Sequence, residues 1–519
     1  MVAFALIGCG RPPAPPTAPV IAEGADDAWL DQVVYLALTD RFANGDPTND
    51  TAPPADCYDP KDPKPFHGGD LAGLRAHVPY LAELGVTALW VTPLYAQVPL
   101  RDGSCGYHGY WADYGDPDDG ALEAKLGSWR DVEALVTSVH DAGMRFILDM
   151  VVNHSGRGAR IVGQHPEWFH DEGTCASLGD PVVFCPLHGL PDFAEERPEV
   201  ARYLTASATR WARRVRPDGI RLDTAKHLPS SYLARSFVPG VREARRDMFL
   251  LAEVFDTTSI AHVRPFLDAG MDSAFHFPLR DALVETFARG GPVRAVGEAV
   301  RTTIDALGLH RALRLVTMLD NHDLPRFMTT APPGMGEDEL SRRYASALTA
   351  LFTLPGIPQI YQGDELGMVG AYPDNRRDMP QWGWDAAGRA GRHEGTLGDG
   401  QATWSLVQTL ARLRIHERAL ARGAYVELAP KTEAGLNVLA FTRRAPPDTN
   451  GKGSVLVVIG DDARGGAVTI PLDRDGPWRD GAVLVDVLGR GGQPRTVVHG
   501  GEVVVTLPPF VAAIYREEA

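Results

Sequence analysis

Apolar and polar positions along this chain fall into two successive regimes. From Trp29 to about residue 420, short apolar runs alternate with longer stretches in which apolar residues recur every three or four positions. The runs are VVYLAL (33–38), VTALWVTPLY (86–95), MRFILDMVVNH (144–154), GIRLDTAKH (219–227), MFLLAEVF (248–255), MDSAFHF (271–277), RLVTMLDNHD (314–323) and GIPQIYQGDE (356–365). Such runs read as buried parallel strands, and the stretches between them as amphipathic helices. In SWRDVEALVTSVHDAG, Ser128 and Asp131 supply a helix-starting capping box and Gly143 a stop. Eight strand–helix units predict an α/β fold, a (β/α)8 TIM barrel over residues 29–420.

Two departures from the alternation set the domain plan. Residues 154–197, after the third run, are too long for an ordinary strand-to-helix connection and predict a small inserted subdomain. After residue 421 the helical period ends. NVLAFTRR, SVLVVIGD, AVTIPL and VVVTLPPFVAAIY then alternate with Gly-rich turns, which predicts a C-terminal antiparallel β-sandwich over 421–519.

Composition narrows the class. The chain has 519 residues, 44% hydrophobic and 23% charged, with a net charge of −16. That composition is globular, and the charge excludes a nucleic-acid partner, which would need clustered Lys and Arg. The first ten residues, MVAFALIGCG, resemble the end of a lipoprotein signal without its basic start. Residues 1–9 are therefore expected to be a truncated signal and residues 10–28 a Pro-rich tether. Cys9 would carry the lipid, making the protein extracytoplasmic with membrane attachment. The other cysteines, Cys57, Cys105, Cys175 and Cys185, allow two disulfides in three connectivities; Cys175 and Cys185 bracket a short loop and are the preferred pair. None has zinc-site spacing.

In a barrel of this kind chemistry sits beyond the carboxyl ends of the strands, and polar residues gather there. Three acids stand out: Asp223, Glu253 and Asp323. Two carboxyls flanking a bond suit glycoside hydrolysis, one attacking and one donating a proton. Arg221, two residues before Asp223, shares its strand face and can hold that carboxylate ionised.

These segments resemble the α-amylase family, glycoside hydrolase family 13, from about Trp29 onward. DMVVNH (149–154), GIRLDTAKH, AEVF (252–255) and LDNHD (319–323) match its four signature segments in order. The resemblance implies Asp223 as nucleophile, Glu253 as general acid and base, and Asp323 as stabiliser of the transition state. Arg221 would orient Asp223. His322, together with His108 and Tyr110 of GYHGYW (106–111), would contact the sugar at the cleavage point. Lys226 and His227 match members that act on α-1,4-glucans.

The resemblance also implies calcium. Asn153, Asp192 and the His227 carbonyl match a site between barrel and insert, and Asn44, Asp46, Asn49, Asp50, the Gly68 carbonyl and Asp70 match a second loop site. Two departures bear on specificity. After the eighth strand an Asp-Pro-x-Asn-Arg segment reads Tyr372-Pro373-Asp374-Asn375-Arg376, so Arg376 is kept and the Asp is replaced. His188 stands where cyclising relatives carry an aromatic residue, and their additional C-terminal domains are missing; both weigh against a cyclising transferase. The expectation is a monomeric, calcium-dependent α-amylase acting on starch, glycogen or malto-oligosaccharides. The alternatives are a cyclomaltodextrinase or neopullulanase-like hydrolase and, in a different class, a non-catalytic glucan-binding surface protein.

Overall fold

A computed structural model describes residues 28–98, 104–116, 120–432, 435–445, 453–473 and 475–518. The expected signal, Cys9 and nearly all of the Pro-rich tether lie outside the described residues. The eight runs form parallel strands β1 (Val34–Ala37), β2 (Ala88–Val91), β3 (Arg145–Met150), β4 (Gly219–Leu222), β5 (Phe249–Ala252), β6 (Ser273–Ala274), β7 (Val316–Thr317) and β8 (Ile357–Tyr361). Their order is β6-β5-β4-β3-β2-β1-β8-β7. A parallel bridge between Phe275 and Val316, with His276 N–H donating to the Val316 carbonyl at 2.8 Å, joins the two ends and closes the barrel.

Alternation along each strand sorts side chains between two cores. Val34 and Leu36 of β1, Trp90 of β2, Ile147 of β3 and Leu251 of β5 pack with Phe275, Met318 and Tyr361 inside the barrel. Their neighbours Tyr35, Leu89, Phe146, Leu148, Ile220 and Leu250 face the surrounding helices. By the same alternation Asp149 of β3 and Arg221 of β4 are inward positions, and they are register partners. Buried charge inside a hydrocarbon-packed barrel is costly unless paired.

The helix Trp129–Asp141 starts on the Ser128/Asp131 capping box, and Gly143 follows its end with φ 74°. The long connection after β3 holds several short helices, tied by a disulfide between Cys175 and Cys185. A second disulfide joins Cys57 to Cys105, two segments that flank the barrel mouth.

From β9 (Ala424–Leu428) onward the chain is antiparallel. β10 (Lys431–Thr432), β13 (Gly466–Pro471) and β16 (Glu502–Leu507) form one sheet; β9, β11 (Val438–Arg444), β12 (Val455–Gly460), β14 (Val483–Asp486), β15 (Arg495–Val497) and β17 (Ala512–Glu517) form the other. Leu456, Val468, Val505 and Tyr515 fill the space between them. Arg343, on the barrel helix Glu337–Thr353, pairs with Asp461, and buried Arg443 donates to the Thr353 carbonyl at 2.7 Å, so the sandwich is locked to the barrel.

Candidate active site

A cleft of about 1190 Å³ opens over the carboxyl ends of the strands. Asp223, Lys226, His227, Glu253, Asp323, His108, Tyr110 and Arg376 all line it. Asp223 is the first residue past β4 and Glu253 the first past β5, so adjacent paired strands deliver both carboxyls to one edge of the mouth. Gly109, between His108 and Tyr110, has φ 92°, and a Cβ there would sit 2.4 Å from the Pro93 carbonyl oxygen. Only glycine allows that turn, which places two ring side chains in the cleft.

Arg221 organises the floor. Its Nη1 donates to Asp223 Oδ1 at 2.6 Å and to Asp149 at 3.0 and 3.1 Å, while Nη2 donates to Glu253. The guanidinium is fully buried. Sequence reasoning paired Arg221 with Asp223 alone; one cation in fact serves three carboxyls. Asp149 was not singled out, although it stands in the quoted DMVVNH segment. It also accepts from Trp90 Nε1 at 3.0 Å and Tyr110 OH at 2.8 Å, and it fixes the Tyr110 ring.

Three carboxylates against one guanidinium leave an excess of negative charge in a dry site, so a proton must be held there. Burial pushes Glu253 up to about 8; Arg221 opposes this and the charges of Asp223 and Asp323 reinforce it. Burial also raises Asp149, against the pull of Arg221. Donors from Arg221, Trp90 and Tyr110 converge on Asp149, whereas Glu253 receives only Arg221 and the Thr224 N–H at 3.0 Å. The better-solvated anion is Asp149, and the proton therefore resides on Glu253. A protonated carboxyl at the mouth has the chemistry of a proton donor at neutral pH.

Across the cleft, Asp323 follows β7. Desolvation in the cleft works to raise it, but the permanently charged Arg376 and Arg221 work against desolvation, and it lies below the ordinary carboxyl range. Arg376 donates to Asp323 Oδ1 at 2.7 Å and to the His322 carbonyl at 2.8 Å. His322 is fully buried, stacks on Tyr110 with centroids 5.2 Å apart, and is pushed down to about 3 by burial, so it is a neutral ring. Burial likewise lowers His108; its Nδ1 accepts the Tyr110 N–H at 3.1 Å, which leaves the proton on Nε2, free to donate.

Lys226 Nζ donates to the Phe255 carbonyl at 2.8 Å, and the Nδ1 of His227 meets the Val182 carbonyl at 2.7 Å. The insert thus fixes His227 at the rim. Tyr107 and Arg41 were missed as well: Arg41 lies 3.8 Å over the Tyr107 ring and holds the Pro63 carbonyl, at 2.8 Å, beside the cleft.

The expected calcium ligands divide. A Cβ on Gly68 would fall 2.5 Å from both Asn44 and Asp50, so these three residues converge on one spot. Asn49 donates to Asp70 at 3.2 Å, and its buried Oδ1 has no partner. Asp46 instead closes a turn on Thr48, and Asp70 caps the helix Leu71–Ala76 while accepting the N–H groups of Gly45 and Asp46. At the other position Asn153 donates to Asp192 at 3.1 Å, Asp192 binds His170 at 2.7 Å, and Asn153 Oδ1 is buried without a partner. Among the described residues no three of His, Cys, Asp and Glu cluster as a metal site. The oxygen-rich donor sets and the two orphaned amide oxygens nonetheless suit a hard cation, which takes amide and carbonyl oxygens as readily as carboxylates.

A (β/α)8 barrel whose mouth carries a buried proton-donor carboxyl, a second carboxyl on the same arginine and a third acid opposite is a glycoside hydrolase. The profile described as "Alpha amylase, catalytic domain" matches residues 36–173 and 182–394, and the chain belongs to the α-amylase family, glycoside hydrolase family 13. It is 28% identical over 517 residues to a cyclomaltodextrinase from Geobacillus thermopakistaniensis (strain MAS1), covering 95% of this chain and 78% of the relative. Among solved structures it resembles an Anoxybacillus α-amylase (TM-score 0.78, 29% identity, 94% of this chain and 98% of that one). It also resembles an α-amylase from Geobacillus thermoleovorans complexed with acarbose (TM-score 0.76, 27% identity, 95% and 99%).

Proposed function

We propose that the protein is an α-amylase that cleaves internal α-1,4 bonds of starch, glycogen or malto-oligosaccharides with retention of configuration. The observation that carries this is the sharing of Arg221 by Asp223 and Glu253 at the cleft floor. A single guanidinium holding both carboxyls favours the short spacing of retaining enzymes, about 5–5.5 Å, over the wider gap that admits a water between them. Glu253 gives its proton to the glycosidic oxygen as Asp223 attacks the anomeric carbon, forming a glycosyl ester and releasing the reducing-end fragment. Glu253, now a carboxylate, takes a proton from water, and the hydroxide displaces Asp223. Asp323, kept ionised by its cations, stabilises the positive charge that develops on the sugar.

The open cleft and the Lys226–His227 pair at its rim support a chain of sugars on both sides of the cut. Asn44, Asn49, Asp50 and the Gly68 carbonyl would hold one calcium ion, and Asn153, Asp192 and the His227 carbonyl another; bound calcium supplies charge that cross-links these loops. Two disulfides support an extracytoplasmic protein, in keeping with a lipid-bearing Cys9. A cyclomaltodextrinase is the second reading, favoured by the Geobacillus relative of that name.

The test compares soluble starch, β-cyclodextrin and pullulan, with products separated by chromatography. An α-amylase releases mixed malto-oligosaccharides from starch fastest; strong preference for cyclodextrin would replace this reading by the second. Asp223→Asn cutting starch at the wild-type rate would refute the catalytic assignment altogether.

A further inference from the structure

Tyr372 combines two properties that seldom occur together. Its side chain is 73% exposed, the highest value among the large exposed apolar residues described, yet its loop is tightly held. Gly370 N–H donates to Thr329 Oγ1 at 2.7 Å, and Arg326 N–H to the Gly370 carbonyl at 2.9 Å. Buried Asn375 donates to the His322 carbonyl at 2.8 Å and the Leu324 carbonyl at 3.0 Å, and its own carbonyl accepts from Arg326 Nε and Tyr361 OH, both at 3.1 Å. Most of these anchors belong to the segment that carries Asp323. The guanidinium of Arg376, which binds Asp323, lies 5.6 Å from the Tyr372 ring centroid. Asp323, Arg376 and Tyr372 therefore form a fixed row along one wall of the cleft, with the ring at its outer end.

We propose that Tyr372 is a specificity-determining platform on which a glucose unit remote from the cleaved bond, on the Asp323 side, lays its C–H face. The inference rests on the glucan reading above. A pyranose presents an apolar C–H face, and an aromatic ring offers a negative face that attracts it. Because the loop is already ordered, little entropy is lost when the sugar docks. The aspartate of the Asp-Pro-x-Asn-Arg pattern, a hydrogen-bond acceptor, could only read hydroxyl directions at this position. A tyrosine reads the sugar's face instead, so its contribution depends on whether the substrate is long enough to reach it. That contribution is uniform binding, which lowers KM without changing kcat.

The experiment measures kcat and KM for maltoheptaose and maltotriose with wild type, Tyr372→Ala and Tyr372→Phe, each checked for unchanged melting. Tyr372→Ala is expected to lower kcat/KM on maltoheptaose about tenfold, through KM, from loss of one stacked ring face. On maltotriose it should stay within twofold of wild type, and Tyr372→Phe should behave as wild type on both. A loss of equal size on both substrates, a loss confined to kcat, or no loss on maltoheptaose would each overturn the platform. Wild type inactive on both substrates would instead bring down the glucan reading, and the platform with it.

Discussion

Replacing Arg221 by lysine keeps a cation on the cleft floor but removes the fork that reaches three carboxyls at once. The guanidinium donates to Asp149 from Nη1 at 3.0 Å, to Asp223 from the same nitrogen at 2.6 Å, and to Glu253 from Nη2. A single ammonium cannot span that set, so Arg221→Lys is expected to leave at least one of the three carboxyls without its partner and to loosen the geometry of the Asp223–Glu253 pair. A hydrogen bond to a charged group contributes about 1.5–3 kcal/mol, and a reacting group misplaced by roughly 1 Å costs on the order of a hundredfold in rate. A hundredfold loss in kcat is about 2.7 kcal/mol, inside the range of the lost hydrogen bond, and is the expected effect, with KM little changed. The pH profile supplies a second readout. Arg221 opposes the rise of Glu253, so weakening that contact should raise Glu253 further and move the alkaline limb of kcat/KM to higher pH. Steady-state kinetics on maltoheptaose from pH 4 to 10, with thermal melting to confirm folding, measures both. A folded variant within threefold of wild-type kcat, or a limb displaced to lower pH, would refute the idea that Arg221 positions and tunes the pair.

In the wild type, Glu253 must be protonated to act as the acid; activity is then present below its pKa and lost as pH rises through about 8, which a pH–rate profile on starch tests. A limb below pH 6 would contradict it. Chelation of calcium should lower the melting temperature by several degrees, since a ligand at a hundred times its Kd adds about 2.7 kcal/mol. Asp50→Ala should remove the part of that shift due to the first loop, and differential scanning fluorimetry with and without EDTA shows both. Converting both cysteines of a pair to serine should cost more for Cys57–Cys105, separated by 48 residues, than for Cys175–Cys185, separated by 10. Loop-closure entropy gives about 4 against about 3 kcal/mol, readable from urea midpoints.

Periodicity carried the barrel because its strands are buried on both faces and so read as continuous apolar runs. The length of the paired segments was not legible. In RLVTMLDNHD only Val316 and Thr317 pair, because Asp320 leaves the sheet to accept the Phe327 N–H, and Asn321 to accept that of Asp323. The disulfide within the insert could be named from its short loop, whereas the bond from Cys57 to Cys105 depends on how two distant mouth segments fold onto each other. The metal loops show the same limit. Residue types and spacing nominate oxygen donors, but only the fold reveals that Asp70 is used as a helix cap and Asp46 as a turn former.

The three acids that line the cleft were legible, and the distribution of protons among them was not. Asp223, Glu253 and Asp323 stand out as strand-end carboxyls, yet which one carries a proton depends on Asp149, inside β3 one residue before its end. That residue looks like an ordinary part of a strand until the register sets it beside Arg221. Had Arg221 served Asp223 alone, the pair would balance and Glu253 would face its own environment. Because Asp149 takes two of the guanidinium's contacts and further donors from Trp90 and Tyr110, it competes for the cation that would otherwise help Glu253 ionise. The inward-facing acid on one strand thus helps keep the proton on the acid of another. Asp149→Asn tests this directly: with one negative charge gone and Arg221 released, Glu253 should ionise at lower pH and the alkaline limb should shift down. An unmoved or raised limb in a folded variant would show that Asp149 serves only to pack the barrel.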